Sequence, residues 1–312
     1  MHTASYEDVD IAIVGGGCAG LSLAVHLLRQ TTLPMRRMII VEPRTAYVRD
    51  RSWCYWNMAA HPFENAVTHR WKEWNAVSVD GHKTRHTSHV YTYNYVDSGM
   101  FYRSALEQLS RDPRVTIKLG ETLLSLQEHE ACVTLHTSNQ RYRALYVFDS
   151  RPPELGSLPP GEIRLYQHFY GQYIRSEKPV FDPSAATLMD FRVDQSHGIH
   201  FMYLLPFDPH HALVEDTYMS EATLPHESYL TSIDRYLCTH YEITHWDVIW
   251  DEHGKIPMTT EQLAPHATAR VIPIGIRGGL AKPSTGYAFL AIQEFSHQLA
   301  QQPFFEKIYR VP

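Results

Sequence analysis

The 312-residue chain is 44% hydrophobic and 20% charged, and its 28 Lys+Arg against 34 Asp+Glu leave a net charge of −6. That balance excludes a disordered tail, a coiled coil and a basic nucleic-acid binder, and points to one large or two smaller globular domains. Cys18, Cys54, Cys132 and Cys238 form no CxxC pair and no compact disulfide framework, which suits a reducing cytoplasm. No secretory signal or transit peptide is expected at the N-terminus. The uncharged stretch from Ile11 to Leu28 is broken by Gly15, Gly16, Gly17 and Gly20, so it reads as strand, turn and helix rather than a membrane span.

In chain order, the patterning predicts a strand at Val9 to Val14, a helix at Cys18 to Arg29, a strand at Met38 to Glu42 and a helix at Met100 to Leu109. Strands follow at Val115 to Leu119, Ala131 to His136, Leu145 to Asp149, His200 to Leu205 and Ala212 to Asp216. Helices are expected at His226 to Cys238 and Tyr287 to Ala300, with an Ile-rich strand at Val271 to Ile276 between them. Early alternation giving way to strands predicts an α/β protein, a parallel nucleotide-binding unit joined to a mainly antiparallel sheet. Pro/Gly-rich runs after Asp149 and a composition shift near Pro265 set the expected boundaries. Residues 1–150 and 266–302 are read as one discontinuous Rossmann domain, 151–265 as an inserted substrate domain, and 303–312 as the start of a truncated helical region.

Gly15-Gly16-Gly17-Cys18-Ala19-Gly20 is GxGxxG, placed after an apolar strand and before an amphipathic helix, the context that dinucleotide binding requires. Gly15 makes the tight turn, Gly17 leaves room for a pyrophosphate, and Gly20 lets helix and strand pack closely. Glu42, ending the next strand, is placed for ribose hydroxyls. This element alone leaves FAD and NAD open. A second Gly-rich stretch, Gly278-Gly279 and Pro283-Ser284-Thr285-Gly286-Tyr287, precedes the last helix, and a ligand spanning both turns is more naturally FAD. Gly279, Thr285 and Gly286 are the cofactor candidates there. Arg103 is a candidate for a phosphate or the flavin edge, although a solvated helix-face arginine fits the pattern equally.

With Arg51-Ser52-Trp53-Cys54-Tyr55-Trp56, Asp149-Ser150-Arg151, Gln167-His168-Phe169-Tyr170-Gly171, Phe181-Asp182-Pro183, Met189-Asp190-Phe191, Phe201-Met202-Tyr203-Leu204-Leu205-Pro206, Leu213-Val214-Glu215-Asp216-Thr217, Ile256-Pro257-Met258 and the Ser-Thr-Gly-Tyr turn, the chain resembles the FAD-dependent lycopene cyclases. These motifs run in family order over nearly the whole chain. The resemblance implies a glutathione-reductase-like FAD domain, lycopene or a half-cyclised relative as substrate, and a six-membered end ring as product, read as a β-ring with the ε-ring left open by the sequence. It further implies reduced FAD, with NAD(P)H supplying electrons that are not consumed in each turnover. The sequence departs from the family in having Ser52 where Thr is common and in stopping at Pro312, where relatives continue through further helices.

Ring closure of a polyene starts by protonating a terminal double bond, so it needs an acid that keeps its proton at neutral pH. A carboxyl group does so when burial disfavours its charge. Glu215 is the candidate: it lies in an apolar strand and matches the family's acidic motif. Strand alternation points Asp216 the other way, so the two do not form a dyad and Asp216 serves structure or the edge of the site. Without the resemblance, both read as strand-end charges in solvent. Trp53, Trp56 and Tyr203 are candidates for lining a hydrocarbon pocket, where aromatic faces attract a cation, with core packing as the ordinary alternative.

The 20 histidines, including His82, His86 and His89, show no zinc spacing and are read as solvated loop, so no metal is expected. Gly-x-Ser-x-Gly is absent. A forty-carbon hydrocarbon resides in the bilayer, so a peripheral, cytoplasmic-side attachment to the membrane surface is expected. A flavin monooxygenase and an inactive FAD or carotenoid binder are the rival readings, because fold does not fix reaction.

Overall fold

A computed structural model describes residues 5–30, 35–263 and 267–302. The chain runs through β1 (Glu7–Val14), α1 (Cys18–Leu28), β2 (Met38–Glu42), β3 (Ser52–Trp56), β4 (Val67–Trp71), β5 (Glu73–Val77), β6 (Lys83–Thr87) and β7 (Tyr93–Asp97). It continues with α2 (Ser98–Ser110), β8 (Val115–Leu119), β9 (Leu123–Glu128), β10 (Val133–Thr137), β11 (Arg141–Asp149), β12 (Arg164–Ser176) and β13 (Ala185–Asp190). Last come β14 (Ile199–Pro206), β15 (His211–Ser220), α3 (His226–Tyr241), β16 (Trp246–Thr259), β17 (Val271–Pro273) and α4 (Phe289–Ala300).

The second half of β1, Ile11 to Val14, is an unbroken apolar run because both of its faces are covered. Ile11 and Ile13 pack towards Leu21, Leu23 and Val25 of α1 and Phe289 of α4, whereas Val9, Ala12 and Val14 pack towards Val133, Leu135 and Tyr142. It lies between β2 and β11 in parallel register, Ile13 opposite Ile40 and Phe148. β8, β2, β1 and β11 follow one another in this sheet, and β17 adds a parallel strand to β11. α4 packs against α1 on one face of this sheet. α2 is capped by Asp97, whose carboxylate accepts the Met100 N–H at 2.9 Å and pairs with Arg49 at 2.8 Å.

Among the described residues, a second sheet has the order β16-β12-β15-β14-β13-β5-β6 and is antiparallel apart from the β13–β5 pair. Here the structure corrects the expected boundaries. Residues 73–87 fall within the predicted first domain, yet β5 pairs with β13 over Glu73–Ala185 to Val77–Asp190 and carries β6 on its other edge. Asn75 and Val77 are buried in that pairing, which is why the segment leaves the nucleotide unit. The His82 to His89 segment is likewise not a loop throughout: Lys83–Thr87 is an edge strand, exposed at every residue and held by Arg85 to Glu73 at 2.5 Å and Asp182 at 3.0 Å. His210 and His211 do lie at a turn, where their N–H groups bond the Asp208 carboxylate at 2.7 and 2.9 Å. Pro265 and residues 303–312, which carried two of the expected boundaries, lie outside the described residues.

A small sheet, β3-β7-β4, stands between these two units. Its strands alternate between them. Tyr55 and Val96 join the core under α1 and α4, whereas Trp71, Tyr93 and Tyr95 join a core with Leu205 and Leu213 of the second sheet. No helix among the described residues is long and apolar enough to cross a membrane.

Candidate active site

The site is built from a row of residues across the second sheet. Tyr203 on β14 stands opposite Glu215 on β15, Glu215 opposite Gly171 on β12, and Gly171 opposite Glu252 on β16. Directly paired residues share a face, so these four lie on one side of the sheet. Gly171 has no side chain between the two acids. A Cβ there would lie 3.3 Å from both Cβ and Cγ of Glu215.

Both acids are buried, Glu215 to 8% and Glu252 to 2% exposure, and they are held differently. Glu215 Oε1 accepts the Thr217 hydroxyl at 2.7 Å. Glu252 accepts the Ser52 N–H and the Ser52 hydroxyl, each at 2.6 Å. Burial first, and then the neighbouring Glu252, pushes Glu215 well above the usual carboxylate range. Burial also raises Glu252, but the two Ser52 bonds and the charges of Arg51 and Arg49 pull it back.

β3 completes the enclosure by alternation. Ser52, Cys54 and Trp56 project towards the second sheet, whereas Trp53 and Tyr55 project into the nucleotide-unit core. Trp56 packs edge-on against Trp74 with ring centroids 4.4 Å apart and lies 4.9 Å from Tyr93. Trp53 instead stacks on Phe289 and meets Phe101 edge-on. The structure thus brings Trp56 and Tyr203 into one aromatic cluster and sends Trp53 away from it. The Tyr93 hydroxyl bonds those of Tyr203 at 2.7 Å and Tyr287 at 2.8 Å, which ties the Ser-Thr-Gly-Tyr turn to the row of acids.

Asp216 faces the other side of β15, as alternation requires. It bonds His200 Nε2 and the Ser232 hydroxyl of α3, and burial raises it despite the His200 bond. It is completely buried, and its second oxygen has no hydrogen-bond partner among the described residues.

The glycine turn fits a dinucleotide phosphate. Gly15 has φ +96°, and a Cβ there would collide with the Ser150 hydroxyl, itself bonded to the Val14 carbonyl at 2.8 Å. A Cβ at Gly20 would collide with the Gly15 carbonyl. At Gly17, by contrast, a Cβ would meet nothing within 4 Å, and no side chain caps α1. Open backbone at a helix N-terminus is what an anionic group needs. Glu42 is buried beside this turn, but its carboxylate already accepts the Gly16 N–H at 2.6 Å and Arg44 Nε at 2.8 Å, so a ribose would share it with Arg44. Arg103 is exposed on α2. At the second turn, Gly279 (φ +77°) faces open space, and a Cβ on Gly286 (φ +71°) would strike Gln167. Among the described residues, Thr285 Oγ1 and Gln167 Oε1 are buried there without hydrogen-bond partners, as expected beside a polar group that these residues do not supply.

Comparison with known proteins decides the family. Residues 10–302 match the lycopene cyclase protein family. The chain belongs to the lycopene cyclase family. Similar family members include a lycopene beta-cyclase of Pantoea ananas, 34% identical over 134 residues that cover 39% of this chain and 32% of that protein. A lycopene beta-cyclase of Pseudescherichia vulneris is 25% identical over 94% of this chain and 74% of its own length. The matched region spans about a third of the length of the first curated relatives. Among solved structures, a geranylgeranyl bacteriochlorophyll reductase-like protein of Thermoplasma acidophilum superimposes with a TM-score of 0.76 at 12% identity, covering 98% of this chain and 80% of that one. Aklavinone-11 hydroxylase, solved with FAD and aklavinone, gives 0.66 at 17% identity, covering 96% and 62%. These likenesses show the fold, a Rossmann-type unit with an inserted sheet.

Sequence reasoning missed Glu252, and it gave Ser52 and Cys54 no role in the site although both lie in the motif of residues 51–56. β16 is an edge strand in which Asp247, Asp251, His253 and Lys255 surround Glu252, so nothing in its local pattern marks a buried acid. Among the described residues, no group of His, Cys, Asp and Glu is arranged to hold a metal.

Proposed function

We propose that this family member cyclises the acyclic end groups of lycopene or a related carotenoid to β-rings, with Glu215 as the general acid. One observation carries the reading: a buried carboxyl group, disposed to keep its proton at neutral pH, stands in an aromatic enclosure beside the nucleotide unit. The Glu215 O–H breaks as a C–H bond forms at the terminal alkene carbon. The neighbouring double bond closes on the tertiary cation, and loss of a ring proton restores the balance. Mass and oxidation state are unchanged. Trp56 and Tyr203 exclude water and offer π-faces to the cation, whereas Asp216 positions β15 against α3.

Gly15, Gly17, Gly20 and the start of α1 are assigned to the pyrophosphate of FAD and Glu42 to its ribose. Arg103, Gly279, Thr285 and Gly286 are assigned to the rest of the cofactor. When bound in its reduced form, with NAD(P)H as electron source, the flavin supplies negative charge in a dry cavity. We place the protein in the cytoplasm, peripherally on the membrane that holds its substrate.

Expression in lycopene-accumulating cells, with chromatography and mass and absorption spectra of the pigments, tests the reading. A product of unchanged mass and shortened chromophore supports it. Added oxygen would replace it with the hydroxylase chemistry named for one structural neighbour, and unconverted lycopene beside a folded flavoprotein would reject it.

A further inference from the structure

The two acids that flank Gly171 are not equivalent, and the difference lies in what faces each. Glu215 is faced by Thr217, by Tyr203 of β14, by Cys54 of β3 and by Tyr287, none of which brings a positive charge, and by Glu252 itself. Asp216, its chain neighbour, is turned to the other side of the sheet. Glu252 is faced by Ser52, which spends both its N–H and its hydroxyl on the carboxylate, by Arg49 and Arg51, and by Cys54 and Tyr95. Hydrogen bonds and cations favour a charged carboxylate; apolar burial beside a like charge favours a protonated one.

We propose that Glu252 is the positioning carboxylate of this site, holding the pair's negative charge against Ser52 so that the pair's single proton stays on Glu215. The proposal rests on the cyclase reading for its role and adds a partner to it. Glu252 acts through Glu215, not on the substrate. When the Glu215 proton passes to the alkene, the pair is left doubly charged while the ring cation exists. The proton released by ring formation then restores Glu215, and no oxidant or reductant enters. Gly171 leaves the space between the two acids free, since a Cβ there would crowd Cβ and Cγ of Glu215 at 3.3 Å.

Infrared titration of the purified protein tests this without substrate. Wild type is expected to show a protonated-carboxyl band at neutral pH that Glu215→Gln abolishes. Glu252→Gln, nearly isosteric and still able to bond Ser52, is expected to lower the pH at which that band disappears by roughly one unit or more, because the like charge is gone. The alkaline limb of cyclisation should move down with it. Ser52→Ala keeps the backbone bond and gives an independent route if Glu252→Gln does not fold: a less stabilised Glu252 draws the proton, and the Glu215 band weakens at neutral pH. A band that survives Glu215→Gln places the proton elsewhere and overturns the proposal. So does a titration midpoint unmoved in both variants of the pair's anchor. If the titrations behave as expected while lycopene is not cyclised, the proton pair stands and only the reaction assigned to it falls.

Discussion

Glu215 owes its suitability as an acid to what surrounds it: partners in Tyr203, Cys54 and Tyr287 that bring no positive charge, a hydroxyl donor on Thr217, and a glycine opposite, with Glu252 paired to that glycine from the other side. Replacing Glu215 by Gln keeps the volume and the Thr217 bond but leaves no transferable proton. Cyclisation is expected to fall by at least about a hundredfold, within the span of general-acid contributions, while flavin content per folded protein is unchanged. Pigment analysis against flavin absorbance measures both, and near-wild-type ring formation in this variant would remove Glu215 from its role. Trp53 and Trp56 teach a related point. Spaced three apart, they share a face on a helix and oppose one another on a strand. Only once β3 is seen as a strand does Trp56 go to the site and Trp53 to the core.

At the level of elements, the strand–turn–helix of the nucleotide unit was legible because Gly15 and Gly20 answer steric demands that sequence spacing already expresses. Gly15 and Gly20 cannot carry a side chain in the protein itself, but Gly17, with φ −80° and free space ahead, can. Gly17→Val is therefore expected to fold normally and to lose flavin, since its side chain fills the space that the pyrophosphate needs. Absorbance of the purified variant, with circular dichroism as the control for folding, checks both halves; full flavin content would sink the assignment. The inserted sheet was less legible. β12 mixes Tyr, Gln, His and Phe over thirteen residues, and β16 is a polar edge strand, so neither carries a clean two-residue alternation. Glu252 stayed hidden for the same reason: its burial comes from pairing with β12 and from Ser52, 200 residues away in sequence, which no local window contains.

Across the whole molecule, buried ionisable groups make stability fall on both sides of a middle range of pH. On the acid side, burial works against the charges of Glu42 and Asp190, but bonds from Arg44, and from Arg192 and Tyr236, outweigh it and lower both. Their contribution is present above the ordinary carboxylate range and is lost as pH falls through their depressed values. His26, buried between α1 and α4 and pushed down to about 4, adds to this, because the unfolded chain takes up its proton from about pH 6.5 downwards while the fold does not. On the alkaline side the sign reverses for Glu215 and Glu252, which burial raises. Their protonated forms cost nothing below about pH 4.5, where the unfolded chain is protonated too. As pH rises from there, the unfolded chain releases protons that the fold retains, and stability declines by at most about 1.4 kcal/mol per pH unit for each group until its folded-state titration is complete. Glu215→Gln removes one of the two. The variant should match wild type in melting temperature near pH 4 and exceed it by a few degrees above neutrality, on the order expected for a chain of this length. Thermal unfolding followed across that range would show the two curves diverging upwards; parallel curves would mean that Glu215 is already ionised in the fold and does not carry the proton that ring closure requires.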